Sequence, residues 1–342
     1  MNTLGEIFRC TTWGESHGEA IGCVIDGCPA GLEITAKDFT CELDRDITDA
    51  ELGTPRKESN NVKLLSGVFE GKTLGTPICI VIYNDGQKSG DYYEFKDYYR
   101  PGHAEFSYHN RYGFYDYRGG GRSSGRVFIS LLAAAAISKK LLKKHNIAFE
   151  SKVVELAGIC CENEEAEKKA KEKCLKIASY GDSSGGIISL RIKGVPSGVG
   201  SPVFGKLNSM IMYALSSIGG VKGIECGLGI ESAQMCGSRF NDSFIKTSHG
   251  ASLASNNSGG FLGGISTGMD LLFRIAVKPT PSILCDQNTV NNKTMNEEVI
   301  KLKGRFDKNF TPRVGPLAEA LASIVLVDQM ILSGHINPVR IV

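Results

Sequence analysis

The sequence lacks an excess of charge, an apolar run of membrane length and an apolar leader. Its 342 residues carry 39 Lys and Arg against 37 Asp and Glu, a net charge of +2, whereas broad capture of nucleic acid or anionic membrane needs a basic excess. The most apolar run, residues 128–137, is far shorter than the roughly 20 residues of a membrane span. Residues 1–18 do not fit a signal peptide. We expect a cytoplasmic protein with no nucleic-acid or membrane partner.

The usual metal and nucleotide motifs are also missing. Eleven cysteines are present, but there is no CxxC and no Cys/His group with zinc spacing, so we predict reduced core thiols and no metal site. No GxGxxG opens a helix after a strand, and no HExxH occurs. Residues 200–206 match a P-loop as far as the lysine, but Leu207 stands where Ser or Thr would hold magnesium. Triphosphate-binding, Rossmann and zinc-protease classes therefore have no support.

Strand and helix patterns mix without regular βαβ alternation, which favours an α+β fold. We expect one domain over residues 1–342. The order apolar strand, Gly, Pro, small residue, Gly occurs at 22–31 and again at 186–198, which suggests two related halves. Residues 91–117 lack a clean period and are predicted to be a long ordered loop. The clearest elements are predicted strands at 186–193 and 271–277, and predicted helices at 37–45, 128–142, 162–177, 204–218 and 316–332.

Two histidines lie among small or rigid residues. His17 is within GESHG, and His103 is within RPGHAE; a histidine held in this way is either a general acid near neutral pH or a structural residue. For the remaining four, we favour surface or helix-capping roles: His109, His145, His249 and His335.

Two segments have the chemistry of an anion site. Residues 122–126 (RSSGR) combine cations, hydroxyls and backbone amides at a predicted helix start, and they form either an anion site or a capped helix with salt bridges. Residues 278–282 (KPTPS) put a cation and two hydroxyls on a stiff loop.

Four blocks together resemble the chorismate synthase family. They cover residues 8–31, 100–126, 255–282 and 304–332, with the motifs GESHG, RPGHAEF, DYRGGGRSS, KPTPSI, GRFD and PLAEALASIVLVDQ. The resemblance implies a β-α-β sandwich, a usual homotetramer, and a lyase of the shikimate pathway. The family converts 5-enolpyruvylshikimate 3-phosphate to chorismate by 1,4-anti elimination of phosphate. It requires reduced FMN without net redox change, and NADPH enters only as a reductant.

The resemblance also implies roles for individual residues. His17 would protonate the departing phosphate, His103 would protonate or hydrogen-bond the reduced flavin, and Asp307 would help remove the C6 hydrogen. Substrate would be lined by Arg45, Arg100 and Arg126. The positions that match the family's flavin contacts are Arg122, Ser123, Ser124, Gly219, Gly220, Gly263, Lys278, Pro279, Thr280, Pro281, Ser282 and Arg305.

The chain departs from the family's usual residues around the same site. The changed positions are Asp46, Gly125, Val127, Gly219, Gly220, Asn257 and Phe306. Arg56 and Lys57 are candidates to replace charge lost near Asp46. Three hypotheses follow. The first is an active FMN-dependent enzyme, and the second is a diverged relative that keeps the fold and has weak or altered activity. The third, ranked last because it gives no reason for the retained histidine pair, is a non-catalytic assembly or binding protein with the same fold.

Overall fold

Two antiparallel five-stranded sheets form the outer layers of the computed structural model, which describes residues 1–46, 51–53, 61–84, 89–248 and 250–341. The strands, in chain order, are β1 (Thr3–Leu4), β2 (Arg9–Trp13), β3 (Ala20–Asp26), β4 (Val62–Leu64), β5 (Val68–Phe69), β6 (Lys72–Thr73), β7 (Ile78–Tyr83), β8 (Ala148–Leu156), β9 (Ile159–Cys160), β10 (Gly186–Lys193), β11 (Val221–Cys226), β12 (Phe244–Thr247), β13 (Gly250–Leu253), β14 (Phe261–Leu262), β15 (Ile265–Ser266), β16 (Leu271–Val277), β17 (Gln287–Val290) and β18 (Glu297–Ile300). The sheet orders are β1-β2-β3-β7-β4 and β11-β16-β10-β8-β9.

Helices α3 and α7 lie between the two sheets. The helices of the described residues are α1 (Ala36–Leu43), α2 (Glu105–Tyr112), α3 (Ile129–Lys143), α4 (Glu164–Ser179), α5 (Leu207–Ser216), α6 (Gly237–Phe240) and α7 (Thr311–Leu332). Short 3₁₀ segments cover Asp44–Asp46, Ser89–Phe95, Arg118–Ser123, Gly125–Phe128 and Gly229–Gln234. Helix α3 packs on β3 and β7, helix α7 packs on β8 and β10, and the two helices pack on each other. The predicted β-α-β sandwich of the α+β class is confirmed.

Helices α3 and α7 are mostly apolar and largely buried, because each has a sheet on one face and a helix on another. Four consecutive alanines, 133–136, are buried in α3, and Ser138 hydrogen-bonds to Ser323 of α7 at 2.6 Å. By length and composition α7 could cross a membrane, but 94% of its most apolar window is buried inside the protein. That burial is typical of the core helix of a globular fold.

The two halves of the chain follow the same path. The first runs β2-β3-α1-β4-β7-α3 and the second runs β8-β10-α5-β11-β16-α7. Both sheets place the fourth of these strands between the second and the third. Helix α1 packs on α3 as α5 packs on α7. The two related halves suggested by the sequence therefore have a counterpart in the topology.

The repeated glycine turn lies at equivalent places in the two halves, after β3 and after β10. Gly27 has φ +76°, and a Cβ there would lie 1.9 Å from the carbonyl oxygen of Ile7, just before β2. Gly194 has φ +79°, and its Cβ would lie 2.4 Å from the carbonyl oxygen of Asn146, just before β8. Both turns need glycine, because the backbone is left-handed and another strand entry presses against it.

Several predicted boundaries differ from the structure. The predicted loop 91–117 contains α2 and part of a 3₁₀ segment. Helix α7 begins at Thr311, five residues before Pro316, and Pro312 occupies the first turn instead. The glycine-rich residues 255–268 hold the hairpin β14–β15.

Candidate active site

The candidate site lies at the end of the sandwich where α3 and α7 begin. A Cβ placed on Gly125, just before α3, would lie 3.8 Å from the ring of Phe310, just before α7. A Cβ on Gly220 would lie 3.8 Å from the same ring. Helix N-termini carry partial positive charge and free backbone N–H groups. This end of the molecule therefore favours anions.

His17 is buried in the loop between β2 and β3, with 5% of its surface exposed. The backbone of Gly119 lies directly against its ring, since a Cβ there would be 2.4 Å from Nε2. Ser16 Oγ donates to the Gly119 carbonyl at 3.1 Å. Arg122 donates to the carbonyl of Gly14 at 3.0 Å and to Thr12 Oγ1 at 2.7 Å. The arginine predicted to bind flavin thus holds the His17 loop in place.

His103 is linked to the second anion segment. Its Nε2 lies 2.8 Å from Ser282 Oγ, and its Nδ1 lies 3.0 Å from the carbonyl oxygen of Pro101. A carbonyl oxygen only accepts, so Nδ1 carries the proton and Nε2 accepts from the hydroxyl. Burial, and then the positive charge of Arg100, lowers the pKa of His103 to about 4. His103 is therefore neutral at pH 7 in this form.

Residues 278–282 join three parts of the site. Lys278 donates through Nζ to the carbonyl of Gly102 at 2.8 Å, and through its backbone N–H to the carbonyl of Gly220 at 2.9 Å. Ser183 Oγ donates to the carbonyl of Thr280 at 2.7 Å. Within the described ranges, the buried Oγ1 of Thr280 has no hydrogen-bond partner.

The two serines at the start of α3 contact different neighbours. Ser123 Oγ donates to the carbonyl of Gly120 at 2.7 Å. Burial raises the pKa of Tyr108, the aromatic residue of α2 that lies near Ser123. Ser124 Oγ accepts from the backbone N–H of Arg126 at 3.3 Å, which caps the 3₁₀ turn that leads into α3.

Asp307 lies in the segment just before α7. Its carboxylate lies 3.6 Å from the guanidinium of Arg313. The next residue fixes the backbone, because Lys308 N–H donates to the carbonyl of Leu52 at 2.8 Å and its own carbonyl accepts from Ser184 N–H at 3.1 Å. Arg305, in the same segment, is exposed.

Comparison with known proteins identifies the chain's relatives. A family model described as chorismate synthase matches residues 8–331. Chorismate synthase of Methanosarcina mazei is 46% identical over 98% of both chains, and that of Methanococcus maripaludis strain C7 is 44% identical over 100% of both. The chain belongs to the chorismate synthase family. A crystal structure of a chorismate synthase superposes with a TM-score of 0.75 at 26% identity, covering 96% of this chain and 93% of that one.

The predicted chorismate synthase function is thereby confirmed, and nothing in these likenesses favours a diverged relative. The individual site residues stay predictions, and the structure shows which of them lie together. The contacts above link His17, Arg122, Ser123 and Ser124 in the first half with His103, Gly220, Lys278 and Ser282 around the same end. Gly219 adjoins Phe128, whose ring would be 3.8 Å from a Cβ there.

Two of the three arginines expected to line the substrate are engaged with acids. Arg45 lies 2.6 Å from Glu319 of α7, and Arg100 forms a buried ion pair with Glu105. Arg126 instead lies at the start of α3, where its Nε donates to Asn84 Oδ1 at 3.3 Å. Arg100 lies three residues from His103 and Arg126 lies two residues from Ser124, so both arginines are on loops of the candidate site.

Gly263 lies apart from the other predicted flavin contacts. It is at the tip of the β14–β15 hairpin, and its neighbour Gly264 presses against Lys206, just before α5. Gly219 and Gly220 follow the other end of α5, which as a ten-residue helix is about 15 Å long. Arg56 and Lys57 lie outside the described residues, as does the side chain of Asp46.

Three residues of functional interest carried weak signals in the sequence. Glu319 is an acid inside an otherwise apolar helical run, a pattern that itself indicates a buried ionic partner. Glu105 is the last residue of the RPGHAE motif, and nothing in the sequence shows that it pairs with Arg100. Tyr108 lies within the aromatic-rich segment predicted as loop, so its helical neighbours were not anticipated.

Proposed function

We propose that this chorismate synthase is a carbon–oxygen lyase that removes phosphate from 5-enolpyruvylshikimate 3-phosphate by 1,4-anti elimination, with reduced FMN bound. The supporting observation is the convergence of His17, His103, residues 278–282 and two helix N-termini at one end of the sandwich. Such a site offers a proton donor and positive potential to a departing phosphate.

The residues around the proposed flavin site fit that group. Thr280 Oγ1 is buried and, in the described part of the chain, unpaired, so a ligand atom could satisfy it. Lys278 supplies a cation, and Ser123 and Ser282 supply hydroxyls. Bound reduced FMN would supply electron density that eases departure of the phosphate. Lys278, Thr280 and Ser282 would hold it.

The residues of the chain would manage the protons and the charge. His17 would donate a proton to the departing phosphate, and its burial against Gly119 fixes the ring for that transfer. Asp307 would accept the C6 proton. His103 is neutral and presents Nε2 towards Ser282, so it would act there as a hydrogen-bond acceptor until a nearby negative charge raises its pKa. Arg126 would hold an anionic group of the substrate.

We further propose a single domain, a homotetramer and a cytoplasmic location, with NADPH used only as a reductant. A single domain is supported because α3 and α7 pack on both sheets and on each other. The homotetramer is supported by exposed apolar side chains such as Phe244 and Leu262, which border a groove of about 330 Å³. Sedimentation velocity at micromolar concentration tests the assembly.

Anaerobic mixing with chemically reduced FMN and substrate tests the proposed reaction. Phosphate release and chorismate absorbance should appear together and in equal amounts. A heat-denatured sample is the blank, and oxidised FMN without reductant is the matched control. A folded protein that binds FMN yet yields no chorismate would contradict the proposal and would restore the diverged relative.

A further inference from the structure

Lys222 occupies a β-bulge beside the proposed flavin site. Strand β11 pairs with β16 so that Val221 lies opposite Val277 and Gly223 lies opposite Ala276. Lys222 is the extra residue between these pairs, and its side chain is exposed. Bulges are often found next to active sites, where they redirect a side chain. Lys222 therefore falls outside the regular alternation of β11, next to the end of β16 at Val277, which Lys278 directly follows.

Lys222 and Lys278 lie close together, and neither has an acidic partner among the residues that the structure describes. The backbone brings them together, because Lys278 N–H donates to the Gly220 carbonyl at 2.9 Å, two residues before Lys222. Burial, and then the charge of Lys222, lowers the pKa of Lys278. Across the described ranges, no carboxylate lies within 4 Å of either ammonium, and Lys278 Nζ donates only to the carbonyl of Gly102. Two such charges side by side are stabilised by an anion between them.

We propose that Lys222 binds the 5′-phosphate of FMN together with Lys278. This inference rests on the proposed function, because it adds a residue to the flavin site described above. A phosphate monoester near neutral pH carries close to two negative charges, which matches two ammonium groups on neighbouring strand ends. The substrate also carries a phosphate monoester, but Arg126 and His17 lie on the loops of the first half, whereas Lys222 and Lys278 both belong to the second.

Paired measurements with FMN and riboflavin test this assignment, since the two ligands differ only in the phosphate. Dissociation constants are measured by flavin fluorescence quenching for the wild type, Lys222→Met and Lys222→Arg. Lys246→Met is the matched control, because Lys246 is also an exposed strand lysine. Circular dichroism and a thermal melt confirm that each variant is folded.

Lys222→Met should weaken FMN binding by about tenfold and leave riboflavin binding unchanged. Lys222→Arg should keep most of the FMN affinity, and Lys246→Met should match the wild type. An unchanged FMN affinity in Lys222→Met, or an equal loss for FMN and riboflavin, overturns the proposal. A rise in the substrate KM with unchanged FMN affinity would assign Lys222 to the substrate phosphate instead, which also overturns it. A wild type that binds neither flavin contradicts the proposed function itself.

Discussion

The two halves of the sandwich share a chain path but present different chemistry at the site. The first half contributes imidazole and guanidinium groups through His17, His103, Arg122 and Arg126. The second contributes ammonium and hydroxyl groups through residues 278–282, and Asp307 is its predicted carboxylate. The strands and helices that carry these loops are equivalent. The comparison teaches that the duplicated scaffold fixes where the loops meet, while the loops decide what they do there.

The halves are also joined through the helix layer. Glu319 of α7 accepts from Ser151 of β8 at 2.6 Å, and it pairs with Arg45 at 2.6 Å and with Lys139 of α3 at 2.9 Å. Burial would raise the pKa of Glu319, but the hydrogen bond from Arg45 and the charge of Lys139 outweigh it and lower the pKa to about 2. One carboxylate in the second half is thus neutralised by cations from the first.

The largest effect on turnover is expected from substituting His17 in the first half. His17→Ala should slow phosphate release by about a hundredfold or more, as loss of a general acid does. Single-turnover measurements with saturating reduced FMN and substrate would show it in the chemical step. His335→Ala, which changes a histidine after the other end of α7, serves as the control and should leave turnover unchanged. Unaltered turnover in His17→Ala would reassign His17 to packing.

The next largest effect, on stability, should come from removing Glu319, which forms the ionic link between the halves. Glu319→Ala removes the more deeply buried of the two carboxylates that Arg45 and Lys139 share, and leaves them only Glu42. Because Glu319 has only 3% of its side chain exposed, we expect a loss of about 3 kcal/mol in the free energy of unfolding. Urea denaturation at pH 7 measures it. The gap from the wild type should shrink as the pH falls from about 4.5 towards 2, because Glu319 becomes protonated in both states. A constant gap would contradict the ionic explanation.

The local residue pattern predicted two central strands correctly, but it did not give the start of α7 and it missed helix α2. Strands 186–193 and 271–277 were predicted at their observed bounds, because period-two burial is visible in the letters. Helix α7 was predicted five residues late, because either Pro312 or Pro316 suits a first turn and only the tertiary structure selects Pro312. Helix α2 was missed, because its polar and aromatic residues show no clear helical period.

Motifs located the site loops, but long-range pairing decided the state of their side chains. His17 and His103 both lie on loops at the end of the sandwich where α3 and α7 begin. Arg45 and Arg100 were expected at the substrate, yet Glu319 and Glu105 hold them. His103 was considered as a general acid near neutral pH, but burial leaves it neutral in this form. Such outcomes depend on which groups meet in space, and no local spacing encodes that.

A direct test of the equivalence of the halves uses the two matched glycines. Gly27→Ala should cost about 3 kcal/mol, since alanine meets both a left-handed backbone and the Ile7 carbonyl. Gly194→Ala should cost slightly less, because its contact is longer. Gly113→Ala, with φ +69° and no atom within 4 Å, should cost only about 1 kcal/mol. Chemical denaturation measures all three. If either Gly27→Ala or Gly194→Ala lost no more free energy of unfolding than Gly113→Ala, the two glycine turns would not be equivalent.

A smaller effect is expected from His103 on acidification. Its pKa is about 4 in the folded chain against an ordinary value of 6.5, so between these values the unfolded chain binds a proton that the folded chain does not. Stability should therefore fall as the pH drops from 6.5 towards 4, by about 2 kcal/mol after allowance for partial exposure. His103→Gln should lack this part of the decline. Parallel pH profiles for the two proteins would show that His103 is not held neutral.

The smallest effect should come from helix α4, which has no counterpart in the first half. Glu165→Ala is the same substitution as Glu319→Ala, but Glu165 pairs with Lys169 at 2.6 Å while 77% of its side chain is exposed. Water screens the pair, and its two long side chains lose entropy when they are held together. We expect a loss of only a few tenths of a kcal/mol, with turnover unchanged. A cost close to that of Glu319→Ala would mean that burial is not what separates the two glutamates, and the ionic link between the halves would lose its physical basis.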